Sequence, residues 1–560
     1  MERTAARLLV DCLEAQGCDR VFTVPGESFL PVLDALRDST AIETITCRQE
    51  GGAAFMACAD GAMNAVGSGR PGVAFVTRGP GATNASIGLH VAFQDSQPLV
   101  LFIGDVDRTM RDREGFQEMD FAQFFGPVTK WSARIDDAAR IPEYIARAFA
   151  TAVSGRPGPV ALALPEDMLH ESGLTAEPRP LALRPAQAPC PDAMAALLAL
   201  LADATDPVAI VGGAGWNAKA REHFTAFATR LSLPVATAFR RQDAIDPAAP
   251  VYAGNLGYGP NPKLVERIKQ ADLLLVVGAR LGEATTDGYT LVTPDHPGQL
   301  LVHVHPDPEE LNRVYRTDLA ICADPGEFAE SAMLWDDPDL ISFDAGGLAH
   351  GEWLDWSTPV ADRYFTLDMG ACMATARALL PGDAIICNGA GNFSGWWHRY
   401  WRYYGTPSQL APTSGAMGYG LPAAVAAALR HPDRCVLAVA GDGDFLMNAQ
   451  ELATAAQYGI NLLVLVMDNG AYGTIRMHQE REYPGRISAT QLANPHFAAL
   501  GAAFGAWSTR VETTAQFAEA LATALPLKGL RLIHCLTDLE QLAASGLKLS
   551  TLQARGGPAS

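Results

Sequence analysis

The chain lacks the features of a membrane protein and of a disulfide-linked secreted protein. No apolar run in its 560 residues reaches the ~18 residues that a membrane span needs. Asp11 and Glu14 interrupt the apolar pattern near the N-terminus, so a signal peptide is not expected. The ten cysteines form no Cys-x-x-Cys pair and no metal-site spacing. We therefore expect buried free thiols in a reducing compartment, and a cytoplasmic protein.

Positive charge is also in short supply. The chain has 42 Lys and Arg against 62 Asp and Glu, which gives a net charge of −20. This balance argues against nucleic acid and against an anionic membrane as partners, but a small anion responds to local groups instead. The remaining composition, 48% hydrophobic and 19% charged, is typical of a globular protein. At ~150 residues per domain, the length suggests three or four domains.

One stretch in the last third of the chain has the pattern of a βαβ unit. The predicted elements are a strand over Val436–Ala440, a helix over Ala449–Tyr458 that begins after Asn448 as its N-cap, and a strand over Ile460–Met467. Each strand ends in a short polar turn, Gly441-Asp442-Gly443 and Asp468-Asn469-Gly470. Both turns then lie at the carboxyl ends of neighbouring strands, where open α/β sheets bind their ligands.

The residue types in these turns suit a metal and a phosphate. Asp442 offers a carboxylate oxygen and Asn469 an amide oxygen, which are ligands that Mg²⁺ prefers and that it commonly shares with phosphate groups. The glycines let the backbone approach a phosphate closely, and a helix N-terminus nearby favours negative charge. A Gly-Asp-Gly turn alone is ordinary, so the hypothesis depends on the second turn.

The two turns and the residues that connect them, GDGDFLMNAQELATA and DNGAYG, resemble the thiamine diphosphate motif of the acetolactate synthase-like, 2-oxoacid decarboxylase and carboligase superfamily. The resemblance implies that Asp442, Asn469 and the backbone carbonyl of Ala471 bind the Mg²⁺ that anchors the cofactor's diphosphate. It also implies cofactor contacts for these neighbours: Gly441, Gly443, Asp444 and Tyr472.

Two acidic residues depart from this motif. Asp468 replaces the first Asn of the customary Asn-Asn pair, and Asp444 stands where a small residue is usual. A carboxylate beside a diphosphate is a like charge. We therefore expect Asp444 to point away or to pair elsewhere.

The N-terminal region alternates strand, turn and helix, which predicts a doubly wound parallel sheet. Its segments PGE, QEGGAAF and TRGPGATNASIGLHVAFQDSQPLV resemble the pyrimidine-binding domain of the same superfamily. The resemblance implies that Glu50 hydrogen-bonds the aminopyrimidine ring and promotes proton removal from the thiazolium carbon, that Gly26 contacts the cofactor and that Gln117 faces the substrate. From the residues alone, Glu50 could be a first-turn glutamate worth ~0.3–1 kcal/mol to its helix, and Gln117 a polar loop residue.

The resemblance covers nearly the whole chain and predicts three doubly wound α/β domains with mainly parallel sheets. These are a pyrimidine-binding domain over 1–175, a central domain over 192–340 and a diphosphate-binding domain over 360–545, separated by a proline-rich linker and by a second linker near 335–360. In the third domain, the glycine turn that begins at Gly389 would face the diphosphate. The resemblance further implies that Gly415 contacts the pyrimidine and that Met417 props the cofactor in a bent form.

The expected cofactors are thiamine diphosphate and Mg²⁺. Acetolactate synthases also bind FAD in the central domain, but GNLGYGPNP and GARLGEATTD depart from the FAD-contacting segments of that family, so FAD is less expected. Gly212, Gly213 and Gly215 do not form a dinucleotide fingerprint.

The implied reaction is decarboxylation of a 2-oxo acid followed by carboligation. The alternative is a non-decarboxylating lyase of the 2-hydroxyacyl-CoA lyase, benzaldehyde lyase or dione hydrolase type. It stays open because the segment after Gly473 carries His478 and no tryptophan, which acetolactate synthases use to shape the substrate pocket. Since the family builds each active site from two subunits, we expect a homodimer or a homotetramer with active sites at the subunit interface.

Overall fold

The computed structural model describes residues 3–66, 69–181, 184–295, 297–335, 342–343 and 345–555. The chain forms two compact units. The first comprises Met1–Pro185, Val425–Arg430 and Ala453–Tyr458, and the second comprises Ala186–Ala424, His431–Leu452 and Gly459–Ser560. Part of the predicted linker near 335–360 lies outside the described residues.

The first unit contains one parallel sheet of six strands flanked by helices. The strands are β1 (Arg20–Thr23), β2 (Glu43–Thr46), β3 (Gly72–Val76), β4 (Leu99–Asp105), β5 (Trp131–Arg134) and β6 (Pro159–Pro165). The helices are α1 (Ala5–Ala15), α2 (Leu30–Arg37), α3 (Glu50–Val66), α4 (Gly79–Asp95), α5 (Phe121–Phe125), α6 (Ile141–Val153) and α7 (Glu166–Leu169). The strand order is β2-β1-β3-β4-β6-β5. Its central strands are buried along their whole length, as expected for a sheet covered on both faces.

The second unit begins with another parallel sheet of six strands. The strands are β7 (Val208–Val211), β8 (Val235–Thr237), β9 (Tyr252–Asn255), β10 (Leu273–Val277), β11 (Leu300–His305) and β12 (Leu319–Cys322), in the order β12-β11-β10-β7-β8-β9. The helices are α8 (Pro191–Asp203), α9 (Ala218–Leu231), α10 (Pro262–Gln270), α11 (Pro325–Met333) and α12 (Gly346–Trp356).

Helix α12 lies within the predicted linker near 335–360, a stretch that is rich in Asp, Gly and Trp. Ala349 and Trp353 of this helix are buried, and the Trp353 ring packs on Tyr252 of β9 at 4.6 Å between ring centroids. Tertiary burial of these apolar side chains accounts for the helix.

The third sheet also belongs to the second unit. Its strands are β13 (Ile385–Asn388), β14 (Gln409–Leu410), β15 (Val436–Gly441), β16 (Leu462–Asp468), β17 (Trp507–Val511) and β18 (Leu530–Leu536), in the order β14-β13-β15-β16-β18-β17. The helices along this part of the chain are α13 (Met369–Leu379), α14 (Phe393–Tyr400), α15 (Gly420–Arg430), α16 (Asp442–Leu446), α17 (Leu452–Gln457), α18 (Gly473–Glu482), α19 (Phe497–Ala503), α20 (Thr514–Ala524) and α21 (Leu549–Arg555).

The predicted βαβ unit is present, but its connection differs. Helix α16 begins at Asp442, directly where β15 ends, so the Gly-Asp-Gly segment opens a helix instead of forming a separate turn. A 3₁₀ turn over Ala449–Glu451 precedes α17, in place of one continuous helix. Asn448 does not cap that turn: its Oδ1 accepts from the Gln450 side chain at 3.1 Å, and its Nδ2 donates to the Gly418 carbonyl at 2.9 Å.

The predicted fold class is confirmed. Every strand pair recorded in the three sheets is parallel. The bounds of the three domains stay a prediction. None of the helices in the described ranges is long and apolar enough to cross a lipid bilayer. Among the residues that the structure covers, none of the ten cysteines forms a disulfide.

A buried ion-pair cluster stabilises the first unit. The guanidinium of Arg430 lies 2.7 Å from Asp19 and 2.8 Å from Asp60. Asp60 is only 2% exposed, and Asn64 donates to it at 3.0 Å. Burial raises the pKa of Asp60, and the charge and hydrogen bonds of Arg430 oppose that rise. Arg430 thus compensates a carboxylate that solvent does not reach.

We predict that Arg430→Met lowers the free energy of unfolding by about 3 kcal/mol, because it removes the cation nearest to buried Asp60 and leaves the more distant Arg20 at 3.9 Å. Urea unfolding followed by circular dichroism measures the change. Arg510→Met is the matched control, since Arg510 and its partner Glu512 are 38% and 57% exposed. Loss of that exposed pair should cost under about 1 kcal/mol. Equal shifts for the two variants would contradict the prediction.

Candidate active site

A cavity of about 240 Å³ opens in the second unit at the carboxyl ends of β13, β15 and β16. The sequence-predicted residues that line it are Gly415, Met417, Gly441, Asp442, Gly443, Asp444, Asn469, Ala471 and Tyr472. Gly389 precedes Ala390, which is on the cavity lining, and its own Cα faces Asp444. The structure therefore gathers all of the second-unit predictions around one cavity.

The register of β15 and β16 brings the two turns together. Gly441 pairs with Met467 in the parallel ladder, so Asp442 and Asp468 follow neighbouring positions of the sheet. Both carboxylates accept a hydrogen bond from the same amide nitrogen, Nδ2 of Asn494, each at 2.7 Å. Nε2 of His534 lies 2.8 Å from the other oxygen of Asp468. Sequence reasoning missed both Asn494 and His534.

The pKa values of Asp442 and Asp468 are shifted in opposite directions. Burial raises the pKa of Asp442, and the neighbouring charge of Asp468 acts in the same direction. Burial also disfavours ionisation of Asp468, but hydrogen bonds from His534, Asn494 and the Gly470 amide outweigh it and lower the pKa of this group. Asp468 is therefore the stronger acid of the pair.

The predicted metal ligands form a set of hard oxygen donors on the cavity lining. The Asn469 side-chain oxygen accepts from the Ala471 amide at 3.1 Å, and the Ala471 carbonyl accepts from the Gly473 amide at 2.8 Å. These bonds close a compact turn beside Asp442. One carboxylate, one amide oxygen and one carbonyl oxygen suit Mg²⁺ when phosphate oxygens complete its shell. Within the described part of the chain, no group of three or more His, Cys, Asp or Glu side chains could hold a metal, so this mixed set is the candidate.

Glycines bring the backbone of the cavity close to its surroundings. A Cβ on Gly443 would lie 2.5 Å from the Tyr472 ring, and a Cβ on Gly441 would lie 3.0 Å from the Phe393 ring. Any larger residue at Gly443 would displace the Tyr472 ring. The backbone at Gly441 and Gly443, at the start of α16, suits the close approach of a phosphate group.

Asp444 was expected to point away from the diphosphate or to pair elsewhere, and in the structure it pairs with backbone amides. Its Oδ1 accepts hydrogen bonds from the amides of Gly418 at 2.7 Å and Ala390 at 3.3 Å. The side chain is 3% exposed, and its Oδ2 has no hydrogen-bond partner among the described residues. Burial raises the pKa of Asp444 to about 7, while the two amides and the charge of Arg240 act to lower it.

The residues predicted in the first unit gather around the start of α4. Glu50 is the first residue of α3, and its Oε2 accepts from the Asn84 side chain of α4 at 2.9 Å. The carbonyl of Gln117 accepts from the Gly79 amide at 3.0 Å. Gly26 packs against Thr77, which precedes α4, because a Cβ there would lie 2.4 Å from the Thr77 Cβ. Glu50 and Gln117 thus lie beside the same helix N-terminus.

Comparisons with known proteins identify the family of this chain. Three family models match: "Thiamine pyrophosphate enzyme, N-terminal TPP binding domain" over 3–124, "central domain" over 194–331 and "C-terminal TPP binding domain" over 389–535. The acetolactate synthase large subunit of Parasynechococcus marenigrum is 32% identical over 540 residues, 93% of this chain and 85% of that protein. The acetolactate synthase isozyme 2 large subunit of Escherichia coli is 31% identical and covers 95% of each chain. The acetolactate synthase of Bacillus subtilis is 29% identical over 94% of this chain and 92% of its own.

Close contact between Gly389 and Asp444 yields a prediction. A Cβ at position 389 would lie 2.0 Å from Asp444 Oδ1, so Gly389→Ala should displace this carboxylate and cost about 1–3 kcal/mol of stability. In an Asp444→Ala background the same change should cost less, because the obstruction is gone. Thermal unfolding of the four proteins without cofactor measures this coupling.

Gly395→Ala is the control for that comparison, because a Cβ there meets nothing within 4 Å and α14 should tolerate it. Additive effects of the 389 and 444 substitutions would show that the contact does not constrain the turn.

Proposed function

Because the chain belongs to the thiamine pyrophosphate (thiamine diphosphate) enzymes, in the acetolactate synthase-like family, we propose that it decarboxylates a 2-oxo acid and joins the remaining fragment to a second carbonyl compound. With pyruvate as both donor and acceptor, two molecules would give one acetolactate and one CO₂. The bound cofactor supplies an electron sink for the carbanion that decarboxylation leaves.

The proposal depends on the positions of the three predicted metal ligands. Asp442, Asn469 and the Ala471 carbonyl lie on one cavity lining because β15 and β16 pair in register. These residues would hold the Mg²⁺, and the glycine backbone around them would receive the diphosphate. Met417 lies on the same lining and would support the cofactor ring system.

Glu50 would hydrogen-bond the aminopyrimidine ring of the cofactor and would thereby promote proton removal from the thiazolium carbon. Its Oε2 accepts a hydrogen bond from the Asn84 side chain, which orients the carboxylate. Its Oε1 lies beside Gly81, since a Cβ built on Gly81 would be 3.5 Å from this oxygen. A carboxylate held in this way can share a proton with a weakly basic ring nitrogen. Gln117, whose backbone has a φ of +63°, would face the substrate from the neighbouring loop.

The direct test is an assay with thiamine diphosphate, Mg²⁺ and pyruvate that measures CO₂, acetolactate and acetaldehyde together. Acetolactate formed in step with CO₂ supports the carboligase proposal. Acetaldehyde without acetolactate would overturn the carboligation step. No CO₂ despite bound cofactor would favour the lyase alternative and would direct the assay to 2-hydroxy ketones and acyl-CoA compounds. That alternative is open because the segment after Gly473 carries His478, exposed on α18, and no tryptophan.

We predict that Glu50→Gln lowers kcat at least 100-fold, since an amide cannot share a proton with the pyrimidine ring nitrogen. Its Mg²⁺-dependent binding of thiamine diphosphate should stay within a few fold of the unsubstituted chain, as measured by isothermal titration calorimetry. Glu519→Gln is the matched control, because Glu519 is exposed on α20. Asp442→Ala should instead abolish the Mg²⁺-dependent binding. Normal turnover by Glu50→Gln would refute the assigned role.

We propose further that the reaction proceeds without FAD. A dinucleotide would enter the central sheet at the switch point between β7 and β10. There a Cβ on Gly213 would lie 1.9 Å from the Gly278 carbonyl, and fully buried Trp216 donates its indole N–H to the Gly212 carbonyl at 2.7 Å. This close approach of the backbone and the buried indole beside it support the proposal.

The purified chain should accordingly show no flavin absorbance near 450 nm, and added FAD should not change its rate. Co-purification of FAD would refute this proposal. The homodimer or homotetramer and the cytoplasmic location stay predictions, and light scattering after size exclusion tests the assembly.

A further inference from the structure

Asn494, which lies outside the motifs quoted above, hydrogen-bonds both Asp442 and Asp468. These two residues lie where the chain leaves β15 and β16. We propose that Asn494 is a positioning residue for the metal ligand Asp442, and that the Asp468–His534 pair holds Asn494 in place for this task. The proposal rests on the proposed function only in taking Asp442 as a ligand of Mg²⁺.

The hydrogen-bond arrangement uses the donors of Asn494 in full. Its Nδ2 has two protons, and it lies 2.7 Å from Asp442 Oδ2 and 2.7 Å from Asp468 Oδ1. Each carboxylate therefore receives one of the two donors. The hydrogen bond to Oδ2 restrains the orientation of the Asp442 carboxylate.

The backbone around Asn494 is tied to the metal turn itself. The Leu492 amide donates to the Gly470 carbonyl, and the Tyr472 amide donates to the Thr490 carbonyl, each at 2.8 Å. Ala471 and Gln491 form an antiparallel bridge between these two bonds. The short segment that ends at Asn494 therefore follows the turn that carries the other two metal donors.

Asp468 is an anchor for Asn494 and is not among the residues that line the cavity. Its Oδ1 also accepts from the Gly470 amide at 3.0 Å, and its Oδ2 faces Nε2 of His534 at 2.8 Å. His534 is 2% exposed on β18, and its ring packs edge-on against Phe497 at 5.1 Å between centroids. Both Asp468 oxygens are thus occupied by donors from fixed elements.

Loss of Asn494 would leave two buried carboxylates facing each other without a shared donor. Asp442 could then rotate, and its mean position would suit the metal less well. Partners that orient a metal ligand typically change metal affinity roughly 10- to 100-fold when they are removed. The effect should fall on the metal and spare the chemical step once metal is bound.

The test is a titration of Mg²⁺ into protein with saturating thiamine diphosphate, followed by tryptophan fluorescence and by calorimetry. For Asn494→Ala we expect the half-saturating Mg²⁺ concentration to rise roughly tenfold, and saturating Mg²⁺ to restore cofactor binding and kcat. Gln491→Ala is the matched control, since it is exposed on the same segment. An unchanged Mg²⁺ titration of Asn494→Ala overturns the proposal.

Asp468→Asn distinguishes the hydrogen bond that Asn494 makes to residue 468 from the effect of a negative charge near the metal. The amide keeps an oxygen acceptor for Asn494 but removes the negative charge near the metal. We expect its Mg²⁺ half-saturation to stay within about threefold of the unsubstituted chain, well below the rise expected when an orienting partner is removed. A loss as large as that of Asn494→Ala would mean that charge governs the affinity, and would overturn the proposal.

His534→Phe covers the case in which Asn494→Ala does not fold. It keeps the aromatic contact with Phe497 and removes the group that faces Asp468, so we expect a Mg²⁺ half-saturation raised by a few fold and restored activity at saturating Mg²⁺. A defect that saturating Mg²⁺ does not restore, accompanied by a lower melting temperature, would mean a structural role and would overturn the proposal. Unsubstituted protein that binds Mg²⁺ and thiamine diphosphate but forms no acetolactate would refute the proposed reaction alone.

Discussion

The candidate active site depends on the parallel pairing of β15 with β16. Because Gly441 lies opposite Met467, the chain leaves the sheet at two adjacent points and delivers Asp442 and the Asn469–Ala471 turn to the same cavity. A shift of one residue along this ladder would turn the side chains of one strand to the other face of the sheet. The apolar side chains of both strands are buried, and this burial keeps the register and the donor set together.

The site carries two buried carboxylates beyond the metal ligand, and the structure compensates each in a different way. Asp444 is held by the amides of Gly418 and Ala390, and Arg240 adds a favourable charge. Asp468 is held by side chains, Asn494 and His534, that come from later parts of the chain. A buried carboxylate without partners would cost several kcal/mol, so both departures from the family motif require these local changes.

The sequence predicted the architecture and the ligand turns, but it did not predict every strand. Five of the strands that it missed, β5, β9, β12, β14 and β17, lie at sheet edges, where short or partly exposed segments lack a continuous apolar run. The sixth, β18, is buried but contains Arg531 and His534, which interrupt its apolar pattern. His534 faces Asp468. One of the residues that interrupt the apolar pattern of β18 therefore also lies at the site.

The partners of the motif residues could not be predicted for a related reason. Motifs identify ligands because a turn places residues that are close in sequence, whereas Asn494 and His534 reach Asp468 only through tertiary structure. Strand β18 pairs with β16, and α19, which follows Asn494, packs on β18. The sequence does, however, indicate where such partners are needed. An acidic residue where the family has a neutral one has to be solvated, paired or protonated. Asp444 and Asp468 are both buried, so the protein itself must supply their partners.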